Sequence, residues 1–105
     1  MARGDVVSDI VSIAASSTYD AQPSGSVEWV IKAWGADSPA STNRLTMYDG
    51  TNRARIAQAD KAMGVFNGMG ELTLPVTNAN YLSLQNGHGS VAYPFFYGGY
   101  VTDAG

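Results

Sequence analysis

The chain has 105 residues, a formal net charge of −3 and no cysteine. A domain of this size buries roughly 65% of its unfolded surface and needs no staples, and the missing thiols exclude disulfides, thiolate metal sites and cysteine catalysis. The negative charge argues against nucleic acid as a partner, and charged residues at 14% leave a surface of Ser, Thr, Asn and Gly that suits packing against neighbours. No apolar run approaches the roughly 20 residues of a membrane span. The start, Met1-Ala2-Arg3-Gly4-Asp5, lacks the long apolar stretch of a signal peptide, and no Asn-x-Ser/Thr sequon occurs. The expectation is a protein made and folded inside a cell, with 1–105 as a single domain and no membrane partner.

Residues 6–13 fit two patterns. Val7, Val11 and Ile13 suit a strand, while Val6, Ile10 and Ile13 suit a helical stripe, so 1–13 reads as an N-terminal arm or a first strand. A second strand ends at Pro23, where Pro23-Ser24-Gly25 turns. Residues 27–34 predict a central strand with Val27, Trp29, Ile31 and Ala33 inward and Glu28, Val30, Lys32 and Trp34 outward. Residues 35–43 form a polar loop.

Leu45-Thr46-Met47-Tyr48 reads as a strand, joined through Asp49-Gly50 to a partner over 51–56. Residues 57–63 have the composition for two turns of helix, and Gly64, Gly68 and Gly70 break anything longer. Residues 71–76 alternate, with Pro75 unable to donate to a ladder and so placed at an edge or strand end. Asn86-Gly87 between residues 81–84 and 91–93 predicts a final β-hairpin, followed by Phe95, Phe96, Tyr97 and Tyr100. Seven or eight short strands at about 8–12-residue spacing define an all-β, antiparallel β-sandwich or jelly roll.

Chemistry-bearing candidates are few. His88 is the only histidine and sits in a Gly-flanked turn that reads as exposed. Acid–base work needs such a group held by a partner, and Asp49, Asp60 and Glu71 lack calcium-loop spacing. Nucleophile-elbow and phosphate-loop motifs are absent, so no enzymatic activity, cofactor or metal is expected. Arg3-Gly4-Asp5 spells an integrin-type tripeptide that a flexible terminus also produces by chance.

Contact chemistry is better represented. Trp34 is the tryptophan expected at the surface, and Trp29 the one expected in the core. Phe95, Phe96, Tyr97 and Tyr100 divide between two faces, two filling the core and the others leaving an apolar patch that favours a subunit contact. Arg53 and Arg55 share one face of a strand, as edge protection or as a dock for an acidic protein surface. Val6, Val7 and Ile10 of the N-terminal segment join Trp34, Arg53, Arg55, Phe95, Phe96, Tyr97 and Tyr100 as interface candidates.

Several segments carry a resemblance. Gly4-Asp5-Val6-Val7-Ser8, Ser12-Ile13-Ala14-Ala15, Glu28-Trp29-Val30-Ile31, Tyr48-Asp49-Gly50-Thr51-Asn52 and Asn80-Tyr81-Leu82-Ser83-Leu84 resemble short virion proteins of tailed bacteriophages. The similarity runs over most of the chain, and the 35–43 loop departs from it. The resemblance implies a capsid decoration (cement) protein or head-fibre base: a β-sandwich assembling as a homotrimer on the outer capsid surface, bound to the major capsid protein and made in the host cytoplasm. A carbohydrate- or receptor-binding module, with a host-surface glycan as partner, and a tail or baseplate component stand as alternatives.

Overall fold

The computed structural model describes residues 2–37, 43–60, 65–66 and 73–105. Among these, nine strands follow one another: β1 Val6–Ile13, β2 Thr18–Ala21, β3 Val27–Ala36, β4 Arg44–Tyr48, β5 Arg53–Asp60, β6 Val65–Phe66, β7 Leu74–Val76, β8 Tyr81–Gln85 and β9 Tyr93–Ala104. They build two antiparallel sheets, ordered β1-β9-β3-β7 and β2-β8-β4-β5-β6.

The pairing is nested. β1 pairs with β9, β2 with β8, β3 with β7 and β4 with β5. The chain is thus one long antiparallel ribbon folded over itself, and the β3–β9 and β4–β8 ladders close the two sheets. This is the jelly-roll solution to the edge-strand problem. The expected all-β sandwich is the fold. Successive strands mostly switch sheet, so each inward-facing row meets the other sheet across one shared core.

That core is Val7, Ile13, Trp29, Ile31, Trp34, Val76, Phe95, Tyr97 and Val101 from the first sheet, facing Ala21, Leu45, Leu82 and Leu84 from the second. Full burial of each large aliphatic or Phe side chain contributes about 1.5–3 kcal/mol. Burial also pushes the Tyr97 phenol pKa upward, with Tyr19 beside it adding to the effect, so the ring stays neutral.

Some of the elements read from the sequence differ. Trp34 is in the core, 2% exposed, where an outward position was expected. The cause is a β-bulge: Ile31 faces Gly99 and Ala33 faces Gly98, leaving Lys32 as the extra residue on β3. The alternation slips by one, so Trp34 and Ala36 follow Trp29 and Ile31 inward.

Asn86 and Gly87 do not close a hairpin. β8 and β9 lie in different sheets, and neither turn residue has positive φ. Asn86 is instead fully buried. Its Nδ2 donates to the carbonyls of Ile13 (2.8 Å) and Val91 (3.0 Å), and its Oδ1 accepts from the His88 amide (2.9 Å). One side chain thereby ties the β8–β9 crossing to the end of β1.

Residues 57–60 belong to β5, so strand replaces helix there, while 61–63 lie outside the described residues, as do 38–42, Gly64, Gly68, Gly70, Glu71 and Leu72. Residues 6–13 are a strand paired along its length with β9, so the alternating pattern prevails over the helical stripe. The Asp49-Gly50 signal does mark a hairpin, with residues 49–52 as the loop between β4 and β5. Pro75 sits on β7, an outer strand of its sheet.

Candidate functional site

Two outer faces remain after the core is packed, and they differ in chemistry. On the first sheet, side chains alternate out from β1 and β9. Val6 lies opposite Tyr100, which faces Val30, which faces Pro75; four residues along β1, Ile10 lies opposite Phe96. Val6 is 75% exposed, Ile10 72% and Tyr100 42%. Between these rows stand Ser8 and Gly98. A Cβ on Gly98 would sit 2.9 Å from the Phe96 ring, so the ring lies over the glycine and fills the gap toward Tyr100. The result is a continuous apolar strip, open to solvent, on the outer face of the described residues.

Of the interface candidates, Val6, Ile10, Phe96 and Tyr100 are therefore brought together. Val7, Trp34, Phe95 and Tyr97 point the other way and are buried, so they support the sandwich from within. The aromatic run divides as its alternation predicts, two rings to each side.

The second sheet presents polar chemistry. Tyr81, Tyr48 and Arg53 are cross-strand neighbours on β8, β4 and β5. The Arg53 guanidinium lies 4.0 Å from the Tyr48 ring centroid, and the Tyr48 and Tyr81 rings meet edge to face at 5.7 Å. Arg53 Nη1 donates to Ser83 Oγ at 2.6 Å, and Ser83 Oγ donates to Asp20 Oδ1 at 2.8 Å. Thr46 Oγ1 is a further acceptor, 3.4 Å from the same nitrogen. Ser83 and Thr46 are buried although they lie on an outer face, so the middle of this relay is shielded from water while Asp20 and Arg53 at its ends are exposed. Arg53 is exposed yet held from two sides. Arg55 lies one pleat further along, opposite Thr46. Partial desolvation, helped by the Asp20 charge, raises the Tyr81 pKa.

The β4–β5 turn sits at one end of this face. Asp49 Oδ1 accepts the backbone N–H of Thr51 (2.8 Å) and of Asn52 (2.6 Å), an Asx-type turn, and Gly50 takes φ 94°, which a residue with a side chain adopts only under strain. These amides, Asn52 first, hold the Asp49 pKa below its usual value, so the carboxylate is charged at neutral pH. Tyr48 Oη donates to the Gly50 carbonyl at 3.0 Å and pins the ring to the turn. Beside it lies a shallow recess of about 260 Å³ lined by Met47, Tyr48, Asp49, Asn52, Arg53, Ala54 and Asn80.

His88 proves to be a structural anchor. Its Nδ1 accepts the amides of Ser90 and Val91, both at 3.1 Å, and its ring edge meets Tyr93. The turn that reads as loose in sequence is thus held by the imidazole itself. Arg3-Gly4-Asp5 is stitched to β9: Gly4 N–H donates to the Val101 carbonyl, Val101 N–H to the Asp5 carbonyl, and Arg3 Nε to the Thr102 carbonyl. Among the described residues no three His, Asp or Glu side chains gather as metal ligands.

The sequence singled out Arg53 but not Tyr48, Tyr81, Ser83, Asp20 or Asn86. A signal existed for Tyr48 alone: a four-residue hairpin loop places it directly opposite Arg53. Compared with known proteins, the chain matches no family model, no curated sequence and no solved structure.

Proposed function

We propose that this chain is a non-enzymatic structural protein of a bacteriophage particle, a decoration protein that forms a homotrimer and binds the outer surface of the major capsid protein. The observation that carries the reading is the apolar strip of Val6, Ile10, Phe96 and Tyr100 on the outer face of the first sheet. Such an area is costly in water and is ordinarily covered by another protein surface. A second copy of the chain is the occupant: the strip carries no charged side chain, and the Phe96 ring over Gly98 joins its two apolar rows into one surface. The jelly roll itself is compatible with capsid proteins and lectins alike. The resemblance to phage virion proteins and the sparse charge favour the former.

The mechanism is binding alone. Three linked copies gain avidity from simultaneous contacts, and anything that binds the closed shell in preference to the open one stabilises it by mass action. Ile10→Asp tests the link. Ile10 is largely exposed, so folding should change by no more than about 0.5 kcal/mol. Loss of the trimer should weaken co-sedimentation with undecorated phage heads by about 100-fold or more, the scale of lost avidity. Wild-type protein that fails to sediment with heads, or an Ile10→Asp variant that binds them unchanged, would refute the reading.

A carbohydrate- or receptor-binding module remains a second reading, favoured by the Tyr48–Tyr81–Arg53 group on the opposite sheet. It does not require the apolar strip to be covered.

A further inference from the structure

The recess beside the β4–β5 turn brings an apolar wall and several polar side chains together at one end of the second sheet. We propose that it binds one uncharged saccharide unit. Its lining pairs apolar Met47 and Ala54 and the Tyr48 residue with hydrogen-bonding Asp49, Asn52, Arg53 and Asn80. An apolar wall with a few convergent polar groups is the usual make-up of a small-ligand site, and about 260 Å³ lies just below the roughly 300 Å³ where drug-sized pockets begin. That suits a single pyranose ring.

Charge selects the ligand class. Asp49 is kept ionised by the Asn52 and Thr51 amides, and Arg53 is permanently cationic. The two opposite charges stand at the first residue of the four-residue turn and just after its last. A carboxylate only accepts hydrogen bonds and a guanidinium only donates them, so together with two amides they match hydroxyls, which do both. An anionic ligand would meet Asp49, and a cationic one would meet Arg53. Aliphatic C–H faces of a sugar ring suit the apolar wall.

The site is also fixed in advance. Tyr48 is tied through its hydroxyl to Gly50, Asp49 through two amides, and Arg53 through Tyr48 and the Ser83–Asp20 relay. Groups already immobile lose little conformational entropy when a ligand arrives. In this account Ser83 and Asp20 are positioning residues that act through Arg53.

The test is a ¹⁵N-detected NMR titration of the intact chain with methyl glycosides of glucose, galactose and mannose, with N-acetylglucosamine, and with N-acetylneuraminic acid as the charged comparison. At least one neutral sugar should give saturable shifts centred on residues 47–54 and 80. Arg53→Ala and Asn80→Ala should each weaken that binding about 10-fold, the effect of roughly 1.4 kcal/mol, and Arg53→Lys should not restore it in full because the planar fork is lost. Each variant's spectrum reports whether it is folded. Ile10→Asp should bind sugar as the wild type does, which separates this site from the proposed subunit contact. No saturable shift with any neutral sugar, shifts centred elsewhere, or tighter binding of the acidic sugar would overturn the proposal.

Discussion

Gly99→Ala is expected to destabilise the fold severely. Gly99 lies on β9 where β3 bulges, paired with Ile31. A Cβ there would stand 1.9 Å from the Val30 carbonyl oxygen and 2.8 Å from the Ile31 Cα. Both are backbone atoms of a central strand, so no side chain can swing aside to make room. Relief requires β3 and β9 to separate, and these two strands carry the middle of the first sheet. The cost should exceed about 4 kcal/mol, the range of severe single substitutions. Domains of this size have about 5–15 kcal/mol in all. Each kcal/mol is worth roughly 4–8 °C in Tm, so thermal unfolding should drop by about 15–30 °C or be lost. Gly35→Ala is the control. A Cβ at Gly35 meets nothing within 4 Å, and its Tm should change by only a few degrees. A Gly99→Ala variant melting within about 5 °C of wild type would contradict the described approach of β3 to β9.

The second large effect is expected at Asn86. Asn86→Asp keeps the shape and removes one donor group. The Nδ2 that now serves the Ile13 and Val91 carbonyls becomes an oxygen facing two oxygens. Two carbonyls lose a partner, at about 1–3 kcal/mol each, and a carboxylate becomes buried among them. The variant should lose about 3–5 kcal/mol at pH 7, the range for a charge left buried without a compensating partner. The pH dependence has a definite sign. Burial and the facing carbonyls raise the carboxyl pKa of the folded variant above the ordinary value of about 3.9. The neutral acid restores one donor, so the penalty relative to wild type is smallest below that ordinary value and grows as pH rises through the raised pKa. Urea unfolding at pH 4 and pH 7 measures it. An Asp variant as stable as wild type at pH 7 would show that the Asn86 bonds do not hold the β8–β9 crossing to the end of β1.

These two positions also show what sequence conveys and what it omits. Alternation along residues 6–13, 27–31, 45–48, 81–84 and 93–101 reports an inward and an outward row, and that is enough to reach an all-β sandwich. The hairpin at 49–52 is legible because turn chemistry there is local: Asp49 bonds the amides two and three residues ahead. Asn86-Gly87 carries the same kind of local signal and has a different outcome. Which strand pairs with β8 is decided by closure of the whole ribbon, and β2 and β4 occupy both of its flanks. No dipeptide records that competition.

The bulge at Lys32 is likewise invisible from 27–36 alone. Its cause is shared with Gly99, more than sixty residues away, where the missing side chain admits the closer β3 backbone. A strict period of two points Trp34 outward, and β3 breaks that period at the bulge. The candidate surfaces divide on the same grounds. Ile10, Phe96 and Tyr100 follow from simple alternation, so the apolar strip is readable. The Asp20–Ser83–Arg53 relay joins three strands that are distant in sequence, and it follows only from their register.

The central claim is that the outer face of the first sheet is covered by copies of the same chain. Light scattering of the wild-type protein and of Ile10→Asp over a dilution series into the micromolar range tests it most directly. The account predicts a stable mass three times that of the 11.0 kDa chain for wild type and a folded monomer for Ile10→Asp. A wild-type protein that is monomeric throughout, or an Ile10→Asp variant that keeps the wild-type mass, would contradict it.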